Sequence, residues 1–157
     1  MWIRDRYTAQ CVDIDNFSTA ATNFFKEGGK GLNITVPFKH DAYTFASSLT
    51  ERAIRAGAVN TLFINEHNIV VGDNTDGIGL VADIILHLNW QLKDKRILIM
   101  GAGGAVRGIL EPVIKESPYS ITIVNRTKET AQQLANDFSD IFSIAAASYP
   151  ELNKAED

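Results

Sequence analysis

"RILIMGAGGAVRGIL", residues 96–110, decides the fold. An apolar run, Arg96–Met100, reads as a strand; it enters the glycine-rich loop "GAGGA" and continues as a helix to about Glu116. Gly101 and Gly103 take the first two positions of a G-x-G-x-x-G pattern. The first glycine permits a tight turn. The second lets the backbone approach a pyrophosphate at the helix N-terminus, where free N–H groups and the helix dipole favour anions. Val106 stands where the third glycine would, which implies looser helix–strand packing. A strand before the loop and a helix after it give the pattern its meaning as a dinucleotide site. Pro112 is expected to kink that helix or loosen its N-terminal half.

Downstream, "SITIV" (120–124) is the next strand, "TKETAQQLANDF" (127–138) the next helix, and residues 142–147 one more short strand. The order β-loop-α-β-α is the opening of a Rossmann-like, doubly wound parallel sheet in an α/β protein. "NRTK" (125–128) ends the second strand of this unit without the acid that usually holds a ribose 2′-hydroxyl, and offers Arg126 and Lys128 instead. A guanidinium matches a 2′-phosphate through several fixed donors, which predicts NADP over NAD.

Upstream the pattern is different. "YTAQCVDI" (7–14) alternates like a strand, and "FSTAATNFFKEGG" (17–29) places Phe17, Ala20, Ala21, Phe24 and Phe25 on one helical stripe ending near Gly28. "KGLNITV" (30–36) reads as a strand and residues 38–56 as one or two helices. "AVNTLFI" and "NIVVG" flank "NEH" as a hairpin. Ile78, Val81, Ala82, Ile85 and Leu88 recur at helical spacing from Gly77 to Leu88. The expected organisation is a substrate-binding lobe of α/β layers over 1–76, a linking helix and linker over 77–92, and a partial nucleotide-binding domain over 93–157.

A hydrophobic fraction of 45% with 22% charged residues belongs to a globular chain. The net charge of −4 gives no global support for nucleic-acid or anionic-membrane partners. Cys11 is the single cysteine, and His40, His67 and His87 lack ligand spacing, so no metal is expected. No run approaches the ~18 apolar residues of a membrane helix, and "MWIRDRYTAQ" has no signal-peptide core. A cytoplasmic setting is the expectation.

Three upstream segments hold candidate site residues: "NITVPFK" (33–39), "AGAVNT" (56–61) and "GDNTDGIG" (72–79). Taken singly, Asp76 reads as a helix cap, Lys39 as a surface lysine, and Arg107 as either a phosphate contact or a solvated charge. Taken in order with "GAGGAVRG" and "NRT", these segments resemble the shikimate dehydrogenase family from about Tyr7 to about Phe142. The resemblance implies reversible reduction of 3-dehydroshikimate to shikimate by NADPH, in aromatic amino-acid biosynthesis. It implies Lys39 and Asp76 as catalytic residues, with Thr35 and Asn60 binding substrate hydroxyls. Gly101, Gly103, Gly104, Ala105, Asn125, Arg126 and Thr127 would hold NADP, with Lys128 nearby. A carboxylate beside a lysine favours the charged form, so Lys39 is expected to supply charge and orientation as much as a proton.

The family's N-terminal strand with its Ser-x-Ser pair would precede Tyr7, and its C-terminal portion would follow this segment. The chain therefore reads as the central part of such an enzyme. Two alternatives stand beside that reading: a non-catalytic nucleotide- or substrate-binding remnant, and a quinate/shikimate dehydrogenase using NAD. Exposed sheet edges would also make a homodimer plausible.

Overall fold

The computed structural model describes residues 6–152. Its elements divide between two sheets. The first holds β1 (Gly31–Asn33), β2 (Ser48–Leu49), β3 (Thr61–Ile64) and β4 (Val70–Asp73) in the order β1-β3-β4-β2. β3 and β4 form the expected hairpin, antiparallel with Thr61 opposite Asp73. β1 joins β3 antiparallel, whereas β2 runs parallel to β4. Around this sheet lie α1 (Phe17–Lys26), α2 (Lys39–Phe45) and α3 (Glu51–Ala56). The periodic stripe of α1 turns inward as expected, with Phe17 and Ala21 buried. Phe17 stacks on Phe38 at 5.4 Å between ring centroids and meets Phe45 edge-on at 6.1 Å, seating α2 against α1.

The second sheet is parallel throughout: β5 (Arg96–Met100), β6 (Ser120–Asn125) and β7 (Ile144–Ser148), in the order β5-β6-β7. α5 (Gly104–Lys115) joins β5 to β6, and α6 (Lys128–Asp137) joins β6 to β7. Central β6 buries Ile121 and Ile123 on one face and Val124 on the other, as expected of a strand covered on both faces. Leu110, Leu134 and Phe138 close the core around it. β5 lies at an edge, and its Leu98 and Met100 side chains are exposed. A four-residue turn of helix, α7 (Tyr149–Leu152), follows β7.

Three local expectations are corrected. Residues 7–13 pair with no strand, and a 3-10 turn, Ile14–Asn16, leads directly into α1. Alternation alone does not make a strand, because a strand's backbone groups need a partner ladder. The helix beginning at Asp76 is α-helical only through Ala82 (α4, Asp76–Ala82) and continues as a π-helical turn over Asp83–His87. Finally, α5 runs continuously through Pro112, whose ring is buried. Proline removes the donor that would reach the Gly108 carbonyl. That carbonyl faces α4 at Gly77, where a Cβ would lie 2.4 Å from the oxygen. The absent side chain of Gly77 is what allows α4 and α5 to approach this closely.

Candidate functional site

Backbone pairing around one residue, Asn60, gathers the upstream candidates. Its N–H donates to the Asp73 carbonyl at 3.0 Å, and its carbonyl accepts from the Ile34 N–H at 2.7 Å. The neighbouring Val59 N–H donates to the Lys39 carbonyl at 2.9 Å. Segments around residues 34–39, 59–61 and 73–76 therefore meet at one end of the first sheet. Thr35 sits here as well, exposed on the turn that follows β1.

The side chains complete the arrangement. Lys39 Nζ donates to Asp76 Oδ2 at 2.6 Å, and Asn60 Nδ2 donates to Asp76 Oδ1 at 2.7 Å. Asn60 Oδ1 accepts from the Thr75 N–H at 3.0 Å and from the Thr61 hydroxyl at 2.9 Å. These partners fix which end of the amide is oxygen. Asn60 spends one N–H on Asp76 and leaves the other without a protein partner among the described residues. Lys39 and Asp76 are each about one-third exposed, at 32% and 38%. The pair is thus reachable from solvent while its geometry is set from below.

Asp76 does not cap its helix. Thr75 takes the N-cap position without a side-chain cap bond, and both Asp76 oxygens are committed to Lys39 and Asn60. The other residues of "DNTD" build the floor. Asp73 is buried and takes two hydrogen bonds from Arg52, one of them from Nε at 2.6 Å, and one from the Thr50 hydroxyl at 2.7 Å. Burial pushes the Asp73 carboxyl up, but the hydrogen bonds from Arg52 and Thr50 and the Arg52 charge outweigh it, holding the group below its ordinary value. Asn74 is also buried; its amide donates to the Ala58 carbonyl at 3.1 Å and its oxygen accepts from the Asp76 N–H at 3.2 Å. Sequence reasoning singled out none of Thr50, Arg52, Asp73, Thr61 or Thr75 for a role. The one available signal was the density of polar residues in "DNTD" itself.

The glycine loop lies at the C-terminal end of the second sheet. Gly101 has φ +106°, a conformation that favours glycine, and its N–H donates to the Val124 carbonyl at 2.7 Å. Gly103 is the N-cap of α5 and Gly104 its first residue; a Cβ added to either would meet open space. With Ala105 also exposed, the first turn presents bare backbone N–H groups outward. That donor set fits a pyrophosphate.

The second-strand turn lies beside it, because Met100 pairs with Val124 and Asn125 with Ser148 at the same sheet end. Asn125 Nδ2 donates to the Thr127 carbonyl at 2.9 Å and shapes the turn. Arg126 and Thr127 are exposed. Lys128 is not a free cation: its Nζ donates to Glu151 at 2.7 Å. Arg107, read from sequence as either a phosphate contact or a solvated charge, pairs with Asp137 of α6 while a third of its side chain stays exposed. Among the described residues, no cluster of His, Cys, Asp and Glu is suited to a metal, and no helix is long and apolar enough to cross a membrane.

A Rossmann-like parallel sheet with an open glycine loop, joined through α4 to a mixed sheet bearing a lysine–aspartate–asparagine cluster, defines an α/β protein built on two sheets, one with the layout of a nucleotide-binding fold. Residues 2–62 match the model of the shikimate dehydrogenase substrate binding domain, and residues 81–156 match that of shikimate / quinate 5-dehydrogenase. The chain belongs to the shikimate dehydrogenase family.

It is 51% identical over 149 residues to shikimate dehydrogenase (NADP(+)) of Cellvibrio japonicus, covering 95% of this chain and 54% of that protein. Among solved structures it is similar to an Ael1 enzyme from Pseudomonas putida, with TM-score 0.85 and 39% identity over 91% of this chain and 52% of the other. Shikimate dehydrogenase from Aquifex aeolicus gives TM-score 0.75 and 32% identity, covering 90% and 50%. The chain spans about half the length of the curated relatives it matches.

Proposed function

We propose that this chain carries the lysine–aspartate pair and the NADP contacts of a shikimate dehydrogenase acting reversibly on 3-dehydroshikimate and shikimate, in a cytoplasmic setting. The supporting observation is the Lys39–Asp76–Asn60 cluster, drawn from three separated segments and held by a hydrogen-bonded floor. The division of the chain near residues 76 and 92 is part of this reading.

NADPH, when bound, supplies the hydride for ketone reduction. Negative charge then develops on the substrate oxygen, and a positioned cation stabilises it. Lys39 carries that cation and holds the proton at Nζ. Asp76 orients the ammonium, and Asn60 fixes the Asp76 carboxylate in turn. The remaining N–H of Asn60 Nδ2 and the exposed Thr35 hydroxyl are the groups for substrate hydroxyls. Gly103, Gly104 and Ala105 would hold the pyrophosphate with backbone N–H groups, and Gly101, whose own N–H goes to the Val124 carbonyl, would shape the turn beneath it. Asn125 and Thr127 shape the turn from which Arg126 would meet the 2′-phosphate.

The test is NADPH formation, followed by absorbance, from shikimate and NADP with the 157-residue chain and its Lys39→Ala variant. Turnover in the first and its loss in the second supports the assignment. Equal turnover in both removes Lys39 from the chemistry. Binding of NADP without turnover in either would favour the alternative of a nucleotide-binding remnant.

A further inference from the structure

The "NRTK" turn holds two cations, and the fold treats them differently. Arg126 is exposed and has no ion-pair partner among the described residues. Lys128, the first residue of α6, donates to Glu151 Oε1 at 2.7 Å. Glu151 is tied down a second time, since its Oε2 accepts from the Ser148 N–H at 2.8 Å. Ser148 ends β7 directly opposite Asn125 of β6, so the carboxylate is held at the same sheet end as the turn. A carboxylate placed there also meets the positive end of the α6 dipole. An anion supplied by the chain itself therefore occupies part of the electrostatic surface that a 2′-phosphate would use.

We propose that Glu151 is a specificity-determining residue, whose carboxylate engages Lys128 and weakens the turn's grip on a 2′-phosphate, leaving that recognition to Arg126. The inference rests on the cofactor reading above. The Lys128 hydrogen bond, with the Ser148 N–H, holds the Glu151 carboxyl down at about 2, so it stays an anion throughout the neutral range. The opposing anion is consequently permanent under working conditions and is not a pH switch. Like charges at a solvated surface interact weakly and are screened by salt, so the effect is a modest bias between cofactors.

The experiment measures binding of the adenosine bisphosphate fragment that carries the 2′-phosphate, with 5′-AMP as the reference, by titration calorimetry. The proteins are the whole chain, Glu151→Gln, and Glu151→Gln combined with Lys128→Met. Glu151→Gln is expected to tighten the 2′-phosphate ligand about three- to fivefold, the size of an exposed charge interaction, and to leave 5′-AMP unchanged. Lys128→Met should erase the gain, and raised salt should shrink it. Unchanged binding of the 2′-phosphate ligand in Glu151→Gln overturns the inference while leaving the nucleotide site standing. Equal tightening of both ligands also overturns it, because the effect would then be general charge and not 2′ selectivity. If neither ligand binds any of the three proteins, the cofactor reading fails and the inference falls with it.

Discussion

Two glycines two residues apart in the same helix make opposite predictions. Gly77 and Gly79 both lie in α4, and each would gain about 0.8–1.0 kcal/mol of intrinsic helix stability on conversion to alanine. Their surroundings differ. A Cβ on Gly79 meets nothing within 4 Å. A Cβ on Gly77 would lie 2.4 Å from the Gly108 carbonyl oxygen, 2.7 Å from Pro112 Cγ and 3.0 Å from Ile109 Cα. Ordinary contact begins near 3.4 Å, so α4 and α5 would have to part by about 1 Å. Two of those three atoms are backbone, and no rotamer change relieves them.

Overpacking of this kind costs about 1–3 kcal/mol, toward the upper end where backbone must move. Set against the helix gain, Gly77→Ala should destabilise by about 1–2 kcal/mol and lower Tm by about 2–8 °C. Gly79→Ala should raise Tm by about 2–4 °C. Thermal melts and urea titrations followed by circular dichroism read both values. The refuting result is Gly77→Ala melting at or above the parent chain, which would mean that α4 does not rest on Gly108 and Pro112. A functional consequence follows, because Gly77 adjoins Asp76: parting the helices shifts the carboxylate relative to the glycine loop.

Asn60→Ala should lower kcat/KM about 100-fold, in kcat because it releases Asp76 and with it the orientation of Lys39, and in KM because it removes a substrate contact; steady-state kinetics checks this. Gly103→Ala should leave Tm nearly unchanged, since its Cβ meets open space, yet weaken NADP binding by placing a methyl where the backbone meets the pyrophosphate; melts and calorimetric titration separate the two effects. Asp73→Asn should cost about 2–3 kcal/mol near neutrality, below the usual figure for a broken buried pair because Arg52 is 36% exposed. The folded-state carboxyl of Asp73 is depressed below its ordinary 3.8. Its stabilisation is therefore fully present above that value and is lost as pH falls through the lower folded value. Urea titrations of parent and variant should accordingly converge in acid.

The glycine loop, the strands on either side of it and the main helices packed on both sheets were legible because each depends on residues close together in the chain. Phe17 and Ala21 announce α1 by spacing alone, and "SITIV" announces a strand, which the structure shows buried on both faces. Gly101 needs only its own positive φ to declare a turn. The failures share a different property. Residues 7–13 alternate correctly but find no partner strand, and strand formation is a property of two segments. Proline in α5 should kink the helix or loosen its N-terminal half by local rules. The helix persists with Pro112 buried and Gly77 of a distant segment packed against the Gly108 carbonyl.

Charge partners divide in the same way. The sequence by itself placed Lys39, Asn60, Asp76, Arg126 and Lys128 in the ordered motifs that carry the family resemblance. Only the tertiary structure decided that Asp76 turns away from its helix end toward Lys39, 37 residues distant. It also decided that Arg107 goes to Asp137 and Lys128 to Glu151. Helix caps and turns act over a few residues, whereas an ion pair depends on which surfaces the sheets bring together, and no local pattern encodes that choice.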